Sequence, residues 1–430
     1  MRRFLAVVGA GSALLAMVVL LVWALGVRDP VPLDDAPPTG SPPDSLQIDR
    51  GAYLARAGNC MACHTRRGGP AYAGGRAIET PFGSVFSSNL TPDVPTGIGS
   101  WSAAHFWRAM HHGRSHDGRL LLPVFPYASY TMVTRQDSDA LFAYLRSLPA
   151  TAQANRAHEL RWPYRSQWAL AVWRALYFRA GALESQPAQS AEWNRGAYLV
   201  QGLGHCSACH SARNALGASS AEGAGLAGGV VPMQGWYAPS LLRDSEAAVS
   251  RWGVGDVVQL LQTGVSARGS AQGPMAEVVL HSTQYLSPAD LQAMAVYLQG
   301  LPAAHPQDVA PPAAVPARST DAGAKLYERH CAGCHGDKGE GVGLAYPPLA
   351  GNRAVQMDNV ANLVQIVLRG GFAPATAGNP RPFGMPAFQM VLSDRDVAEV
   401  ITHIRSAWGH RAGEVTELDV ARYRAGDQRY

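Results

Sequence analysis

The chain has 430 residues, a formal net charge of +4 and only 16% charged residues. Its length predicts two or three domains of ordinary size, each able to bury its own core. So small a positive charge gives no support to nucleic-acid binding, which requires clustered basic residues. The 45 glycines and 30 prolines indicate many turns and long loops.

The first 30 residues differ in character from the rest. Met1-Arg2-Arg3 precedes an apolar run from Phe4 to Val27. A run of this length can cross a bilayer as one helix, and the basic residues before it predict that the following chain is exported. A cleaved signal peptide with its small-residue site near Ala24-Leu25-Gly26 is the alternative. Both interpretations place the remaining chain outside the cytoplasm.

A short segment recurs three times along the chain. Arg50-Gly51-Ala52-Tyr53-Leu54 returns as Arg195–Leu199 and, more loosely, as Ala322–Tyr327. A Cys-x-x-Cys-His motif follows the glycine of each copy after eight to ten residues, and a second helical segment closes each repeat. The glycine should let the closing helix approach the opening helix closely, with an aromatic ring packed over it. The closing segments are 137–148, 290–301 and 396–408.

The repeats predict a mostly α fold, with three tandem domains that have long loops and a hydrophobic helix before them. Two Pro-rich stretches mark a spacer and a linker. The predicted divisions are 1–30 (signal-anchor or signal peptide), 31–44 (Pro-rich spacer), 45–150 (domain 1), 151–190 (packed connecting segment), 191–302 (domain 2), 303–318 (Pro/Ala-rich linker), 319–410 (domain 3) and 411–430 (polar C-terminal tail).

All six cysteines fall in the three Cys-x-x-Cys-His motifs. Two intervening residues on a helical turn bring both sulfurs beneath one porphyrin edge, where they form thioethers, and the next residue is the proximal iron ligand. The sequence therefore predicts three covalently bound haem c groups. The attachment residues are Cys60, Cys63, Cys206, Cys209, Cys331 and Cys334, and the proximal ligands are His64, His210 and His335.

Other uses of these cysteines fit less well. Disulfides within each pair would close loops too small to constrain the chain. A structural zinc site needs four ligands, and three separated pairs do not divide in that way. Thioredoxin-like redox motifs require a surrounding βαβ pattern, which the sequence lacks.

A methionine is expected as the sixth iron ligand, because histidine–methionine ligation suits electron transfer. Met275 and Met385 both lie on loops punctuated by Pro and Gly, shortly before the closing helices. The first repeat has Phe125 where the third has Met385, and phenylalanine cannot bind iron. We assign Met132, seven residues further on, as the nearest substitute. The open alternatives are a five-coordinate iron or ligation by His111, His112 or His116.

Beyond the haem motifs, no constellation of serine, carboxylate or metal-binding residues indicates independent substrate chemistry. We therefore assign no catalytic residues.

The chain resembles the three-haem cytochrome c subunits of bacterial membrane-bound dehydrogenase complexes. The resemblance covers nearly all of Arg50 to about Trp408. It is carried by the segments Ser87–Asp93, Thr96–Trp101, Phe125–Tyr127, Trp193–Leu199, Gly204–Cys206, Arg213-Asn214, Gly273–Val279 and Pro347–Asn352.

The resemblance implies electron transfer from a catalytic dehydrogenase subunit of the flavin, PQQ or molybdenum class to ubiquinone or to a downstream cytochrome or oxidase. The N-terminal segment predicts a place on the periplasmic side of the inner membrane, through the N-terminal helix or by peripheral association after cleavage. Two other functions stay open. One is a self-standing haem enzyme with the first haem as its reactive centre, and the other is a soluble electron shuttle.

Overall fold

The structure is a computed structural model, and it describes residues 4, 13, 16–27, 44–221, 225–303, 320–343 and 345–424. The described residues form two compact units. The first contains those up to Ala55 together with Cys63–Glu184, and the second contains Arg56–Ala62 together with those from Ser185 onward. Predicted domains 2 and 3 both fall in the second unit, and the three-domain arrangement stays a prediction.

The first unit is built from helices and one small antiparallel sheet. A π-helix covers Trp23–Val27. The sheet has the order β1-β2-β3. The helices are α1 (Ser45–Ala57), α2 (Cys60–His64), α3 (Ala103–His112), α4 (Tyr127–Tyr130), α5 (Arg135–Ser147) and α6 (Gln167–Tyr177), and the strands are β1 (Ala77–Thr80), β2 (Gly83–Phe86) and β3 (Glu159–Leu160).

The second unit contains eleven further α-helices among its described residues. They are α7 (Ala191–Ala197), α8 (Ser207–His210), α9 (Val254–Thr263), α10 (Gly273–His281), α11 (Pro288–Gln299), α12 (Asp321–His330), α13 (Ala332–His335), α14 (Arg353–Gln356), α15 (Ala361–Arg369), α16 (Asp394–Ser406) and α17 (Glu417–Arg424). A π-helix covers Tyr198–Leu203, and 3₁₀ turns cover Val249–Arg251 and Thr283–Tyr285.

The strands of the second unit are short and form three separate two-stranded antiparallel ribbons. They pair β4 (Gly229–Val231) with β5 (Trp236–Ala238), β6 (Val265–Ser266) with β7 (Gly269–Ser270), and β8 (Gly371–Phe372) with β9 (Gly384–Met385). Helix accounts for 46% of the structure, which confirms the mostly α fold.

The three closing helices α5, α11 and α16 begin in the same way. A hydroxyl residue at the N-cap accepts a hydrogen bond from the backbone N–H of an aspartate three residues later. This hydrogen bond satisfies one of the unpaired N–H groups at each helix start. The negative charge of the aspartate is also stabilised by the positive end of the helix dipole. The pairs are Thr134 with Asp137, Ser287 with Asp290, and Ser393 with Asp396.

Each opening helix packs closely on its closing helix at the glycine of the repeat. A Cβ atom built on Gly51, Gly196 or Gly323 would lie 2.0, 1.9 or 2.5 Å from a backbone carbonyl oxygen of the closing helix. It would also crowd the Cβ of the predicted aromatic residue on that helix. The sequence-based prediction of a close approach is therefore confirmed in all three repeats. The facing residues are Ala140 and Tyr144, Ala293 and Tyr297, and Glu399 and His403.

The C-terminal segment differs from the predicted polar tail. Residues 411–424 include α17, which packs on α15 and α16. Val415 and Val420 are fully buried in the same core as Val364 and Ile401. These two valines supply enough apolar surface to hold an otherwise polar segment against the core.

Several predicted segments lie partly or wholly outside the described residues. Most of 1–30, nearly all of 31–44 and the linker from 304 to 318 belong to this group. Within the part of the chain that is described, no helix combines the length and apolarity needed to cross a membrane. The predicted N-terminal hydrophobic helix lies in large part outside the described residues.

Candidate haem-attachment sites

The three Cys-x-x-Cys-His motifs all lie on short helices that follow an opening helix. They occupy α2, α8 and α13, with the first cysteine either at the helix start or immediately before it. None of the six cysteines takes part in a disulfide. The predicted helical turn, which brings both sulfurs of a motif to one side, is present in each repeat.

Each motif histidine is oriented by a hydrogen bond from its ring to a backbone carbonyl. The Nδ1 atom donates over 2.8 Å from His64, 2.8 Å from His210 and 3.0 Å from His335. A neutral imidazole that donates through Nδ1 keeps its lone pair on Nε2, the nitrogen available for a metal. The carbonyl acceptors belong to Ser88, Pro239 and Pro347.

Burial keeps these histidines in the neutral form that iron ligation requires. It lowers the pKa of His64, His210 and His335, and the hydrogen bond to the carbonyl only partly opposes this effect. Desolvation penalises the imidazolium cation more than the neutral ring. Each ring is therefore uncharged and fixed in one tautomer before any metal is bound.

A glycine fixes the backbone of each motif histidine. Its N–H donates to the histidine carbonyl oxygen over 2.7 Å in the first two repeats and 2.8 Å in the third. The glycines have φ between +67° and +88°, a region that favours glycine. A Cβ there would collide, at 2.4–2.7 Å, with backbone atoms at or beside the carbonyl acceptor. These glycines are Gly74, Gly228 and Gly341.

The surroundings of two motif cysteines favour the protonated thiol over the thiolate. Burial, together with the second cysteine of the motif, raises the pKa of Cys206 to about 12 and that of Cys331 to about 11. Both thiols are therefore protonated at neutral pH. Zinc binds cysteine as thiolate, so this environment does not favour a zinc site. Two cysteines that form no disulfide, next to an oriented imidazole, fit a covalently attached haem.

The predicted methionine ligands lie in three different settings. Met275 is in the first turn of α10, and Met385 lies in β9, paired with Gly371. Met385 and Cys331 pack against the same core cluster, as a shared haem pocket requires. Met132 follows α4 in the turn before α5 and is partly buried. Ligation by each of the three stays a prediction.

The alternative ligands of the first haem are engaged in ring packing. His111 stacks on Trp107, with ring centroids 4.3 Å apart. The His116 ring lies 4.2 Å from that of His105, and His112 is buried. Phe125 packs on a neighbouring tyrosine ring at 5.3 Å.

Sequence reasoning did not identify the carbonyl acceptors or the glycines that complete each site. A weak signal exists, because Ser88, Pro239 and Pro347 each lie two residues before a leucine. Two of these loops, 87–93 and 347–352, also belong to the segments that carry the family resemblance. The sequence did not indicate that carbonyl groups of these loops orient the proximal histidines.

Comparison with known proteins agrees with this geometry. The family model for cytochrome c matches residues 48–149 and 320–408. The cytochrome c subunit of alcohol dehydrogenase (quinone) from Gluconacetobacter polyoxogenes is 37% identical, over 89% of this chain and 85% of its own length. The gluconate 2-dehydrogenase cytochrome c subunit of Pantoea cypripedii is 39% identical, over 88% and 89%. The fructose dehydrogenase cytochrome subunit of Gluconobacter japonicus is 34% identical, over 96% and 89%.

These matches run along most of the chain and along most of each relative, so they are not confined to the haem motif. They coincide with three copies of a site whose thiols and neutral histidines suit covalent haem. The chain therefore belongs to the family of cytochrome c subunits of bacterial dehydrogenase complexes.

Proposed function

We propose that this chain is an electron-transfer subunit that carries three covalent haem c groups. It would receive electrons from a partner dehydrogenase of the flavin, PQQ or molybdenum class and pass them to ubiquinone, or to a downstream cytochrome or oxidase. The observation that carries the proposal is the threefold recurrence of one site. In each copy a carbonyl orients the histidine ring and a glycine N–H fixes the histidine backbone.

A bound haem c supplies a one-electron couple between ferric and ferrous iron. The residues of the chain would position the haem group and determine the charges and hydrogen bonds around it. The hydrogen bond from Nδ1 holds each imidazole in one orientation and raises its basicity as a ligand. The six motif cysteines would hold the macrocycles covalently, and the predicted methionines Met275, Met385 and Met132 would complete the coordination.

The partner is proposed from the relatives, which are named as subunits of alcohol, gluconate and fructose dehydrogenase complexes. Residues 4–27 support a position at the periplasmic face of the inner membrane, because an apolar run after a basic pair directs export. Attachment would be through this segment or peripheral after its cleavage.

The test is to produce the chain with a haem-attachment system, alone and together with catalytic dehydrogenase subunits of the flavin, PQQ and molybdenum classes. We expect an intact mass with three haem increments and rapid haem reduction only when the partner and its substrate are present. Two haems or fewer would contradict the haem count. Substrate oxidation by the chain without a partner would contradict the assignment as an electron-transfer subunit.

Carbon monoxide separates this proposal from a self-standing haem enzyme. An electron-transfer subunit with three six-coordinate haems should bind little carbon monoxide when reduced. Rapid, stoichiometric binding at one haem would instead favour a reactive centre at the first motif.

A further inference from the structure

The peptide group that orients the second proximal histidine is hydrogen-bonded on both of its sides. Its carbonyl, from Pro239, accepts the hydrogen bond from Nδ1 of His210 over 2.8 Å. Its N–H belongs to Ser240 and donates to Oε2 of Glu246 over 2.6 Å. The C=O and N–H of a trans peptide point in opposite directions. This one peptide group therefore lies between an imidazole and a carboxylate.

Glu246 is buried, and its carboxylate is surrounded by hydrogen-bond donors. The Tyr237 hydroxyl donates to the two carboxylate oxygens, at 3.1 and 2.9 Å, and the Arg243 guanidinium donates over 3.4 Å. An ionised carboxylate only accepts hydrogen bonds, so these donors and the Ser240 N–H suit the charged form. Burial and the charge of Glu246 raise the pKa of Tyr237, so the phenol keeps the proton that it donates.

The loop that carries Glu246 is fixed by its own hydrogen bonds. The hydroxyl of Ser240, a buried residue, accepts from the backbone N–H groups of Leu242 and Arg243, at 3.2 and 3.1 Å. The Ser240 carbonyl oxygen accepts from the Ala247 N–H over 3.1 Å. These bonds close a turn that brings the chain back toward its start. The carboxylate is therefore held beside the peptide group that it binds.

The other two repeats differ at the equivalent N–H. In the first repeat the N–H of Asn89, which follows the carbonyl acceptor Ser88, donates to the neutral amide oxygen of Asn155 over 2.8 Å. In the third repeat Pro348 follows the carbonyl acceptor Pro347, and proline has no N–H. Of the three repeats, the second therefore differs by placing a negative charge against the peptide group that orients its histidine.

We propose that Glu246 is a positioning residue of the second site and keeps the reduction potential of the second haem lower than an uncharged side chain would. This inference rests on the proposed electron-transfer function. The carboxylate polarises the peptide group, so the carbonyl becomes a stronger acceptor and the imidazole a more basic ligand. A more basic ligand and a buried negative charge both favour ferric over ferrous iron in the one-electron couple. Arg243, whose side chain is 32% exposed, offsets part of this charge.

The experiment is a redox titration of the full chain with all haems attached, with a chemical reductant as the electron source. Glu246→Gln keeps an oxygen that can accept from the Ser240 N–H but removes the charge, so we expect one midpoint potential to rise. Glu192→Gln is the matched control, because it removes the same charge from an exposed side chain in the first turn of α7. Solvent screens that charge, so all three potentials should stay at their wild-type values.

Tyr237→Phe separates the effect of charge from that of a loosened loop. It removes one donor from the carboxylate, while Asn362 still holds the backbone of residue 237 through hydrogen bonds of 2.9 and 2.7 Å. The carboxylate then keeps more of its negative charge, so the potential that rises in Glu246→Gln should fall in Tyr237→Phe. Loosening of the loop would instead shift the potential in the same direction in both variants.

Unchanged potentials in Glu246→Gln with three haems present would overturn the inference, and so would shifts of the same sign in both variants. Should Glu246→Gln lose a haem, Tyr237→Phe decides the question. A lowered potential in that variant supports the inference, and a potential at or above the wild-type value refutes it. These outcomes are independent of whether a partner dehydrogenase reduces the protein, which tests the proposed function instead.

Discussion

The Arg195 guanidinium donates two hydrogen bonds to the Asp290 carboxylate, at 2.8 and 2.7 Å, and so joins the opening helix α7 to the closing helix α11. The first repeat has the same contact between Arg50 and Asp137, at 2.7 Å. The third repeat has Ala322 at the arginine position, and there Asp396 bonds only locally, to Ser393. The ion pair therefore joins two of the three helix pairs.

We expect Arg195→Ala to destabilise the protein by about 2 kcal/mol, because it leaves a mostly buried carboxylate without its charged partner. Thermal and urea unfolding would measure the loss. The control is Arg268→Ala, which removes a longer contact of 3.4 Å from an arginine that is 54% exposed. That substitution should lower the free energy of unfolding by about 0–1 kcal/mol. Equal effects of the two substitutions would show that the helix-joining pair has no special role.

Gly196→Ala tests the close packing of the helices. Helix propensity alone would predict that the free energy of unfolding rises by about 1 kcal/mol. The added Cβ would lie 1.9 Å from the Ala293 carbonyl oxygen, so we expect a loss of about 3 kcal/mol or more. Gly255→Ala, near the start of α9, is the matched control. Its Cβ meets no atom within 4 Å, and the same substitution should be neutral or stabilising there. Stabilisation at both positions would refute the packing argument.

The repeats could be predicted from the sequence because their signals are local. Gly51, Gly196 and Gly323 stand at matched spacing from a Cys-x-x-Cys-His motif, and a helix that packs against them needs no other information. The orientation of the proximal histidines could not be predicted, since the acceptors are backbone oxygens. They lie 24, 29 and 12 residues further along the chain, and a backbone oxygen does not depend on residue type, so only the weak signal of a following leucine marks them.

The sixth ligands Met275 and Met385 were predicted because they lie on loops that contain Pro and Gly, shortly before the closing helices. Substitution can test each predicted ligand. We expect Met275→Leu and Met385→Leu each to remove one methionine–iron charge-transfer band, to lower one reduction potential and to open one haem to carbon monoxide. Met390→Leu is the control, because its side chain is 90% exposed. Met132→Leu should behave like the first two if it ligates the first haem. If its spectrum and potentials match wild type, the first haem has another ligand or is five-coordinate.

His158 should make the first unit sensitive to acid. Its Nδ1 accepts a hydrogen bond from the Phe86 N–H at 3.2 Å, which requires an unprotonated nitrogen. Partial desolvation of its ring, together with the positive charge of Arg119, lowers the pKa of His158, although the residue as a whole is exposed. The unfolded chain then binds more protons than the folded chain, so stability falls as pH drops below about 6.5.

The measurement is urea unfolding of the haem-loaded protein between neutral and mildly acidic pH. We expect His158→Gln to flatten the loss of stability in this range, because the variant cannot be protonated. An unchanged slope in His158→Gln would assign the acid sensitivity to other groups.

The hydrogen bonds that orient the three proximal histidines end on main-chain oxygens of a serine and two prolines. Every residue presents a backbone carbonyl, so a change of side chain at these positions need not alter the direction of the imidazole. Evolution could therefore change the side chains around each cofactor freely, and with them the reduction potentials and the contact surfaces. One scaffold could in this way be adapted to catalytic partners that share no chemistry.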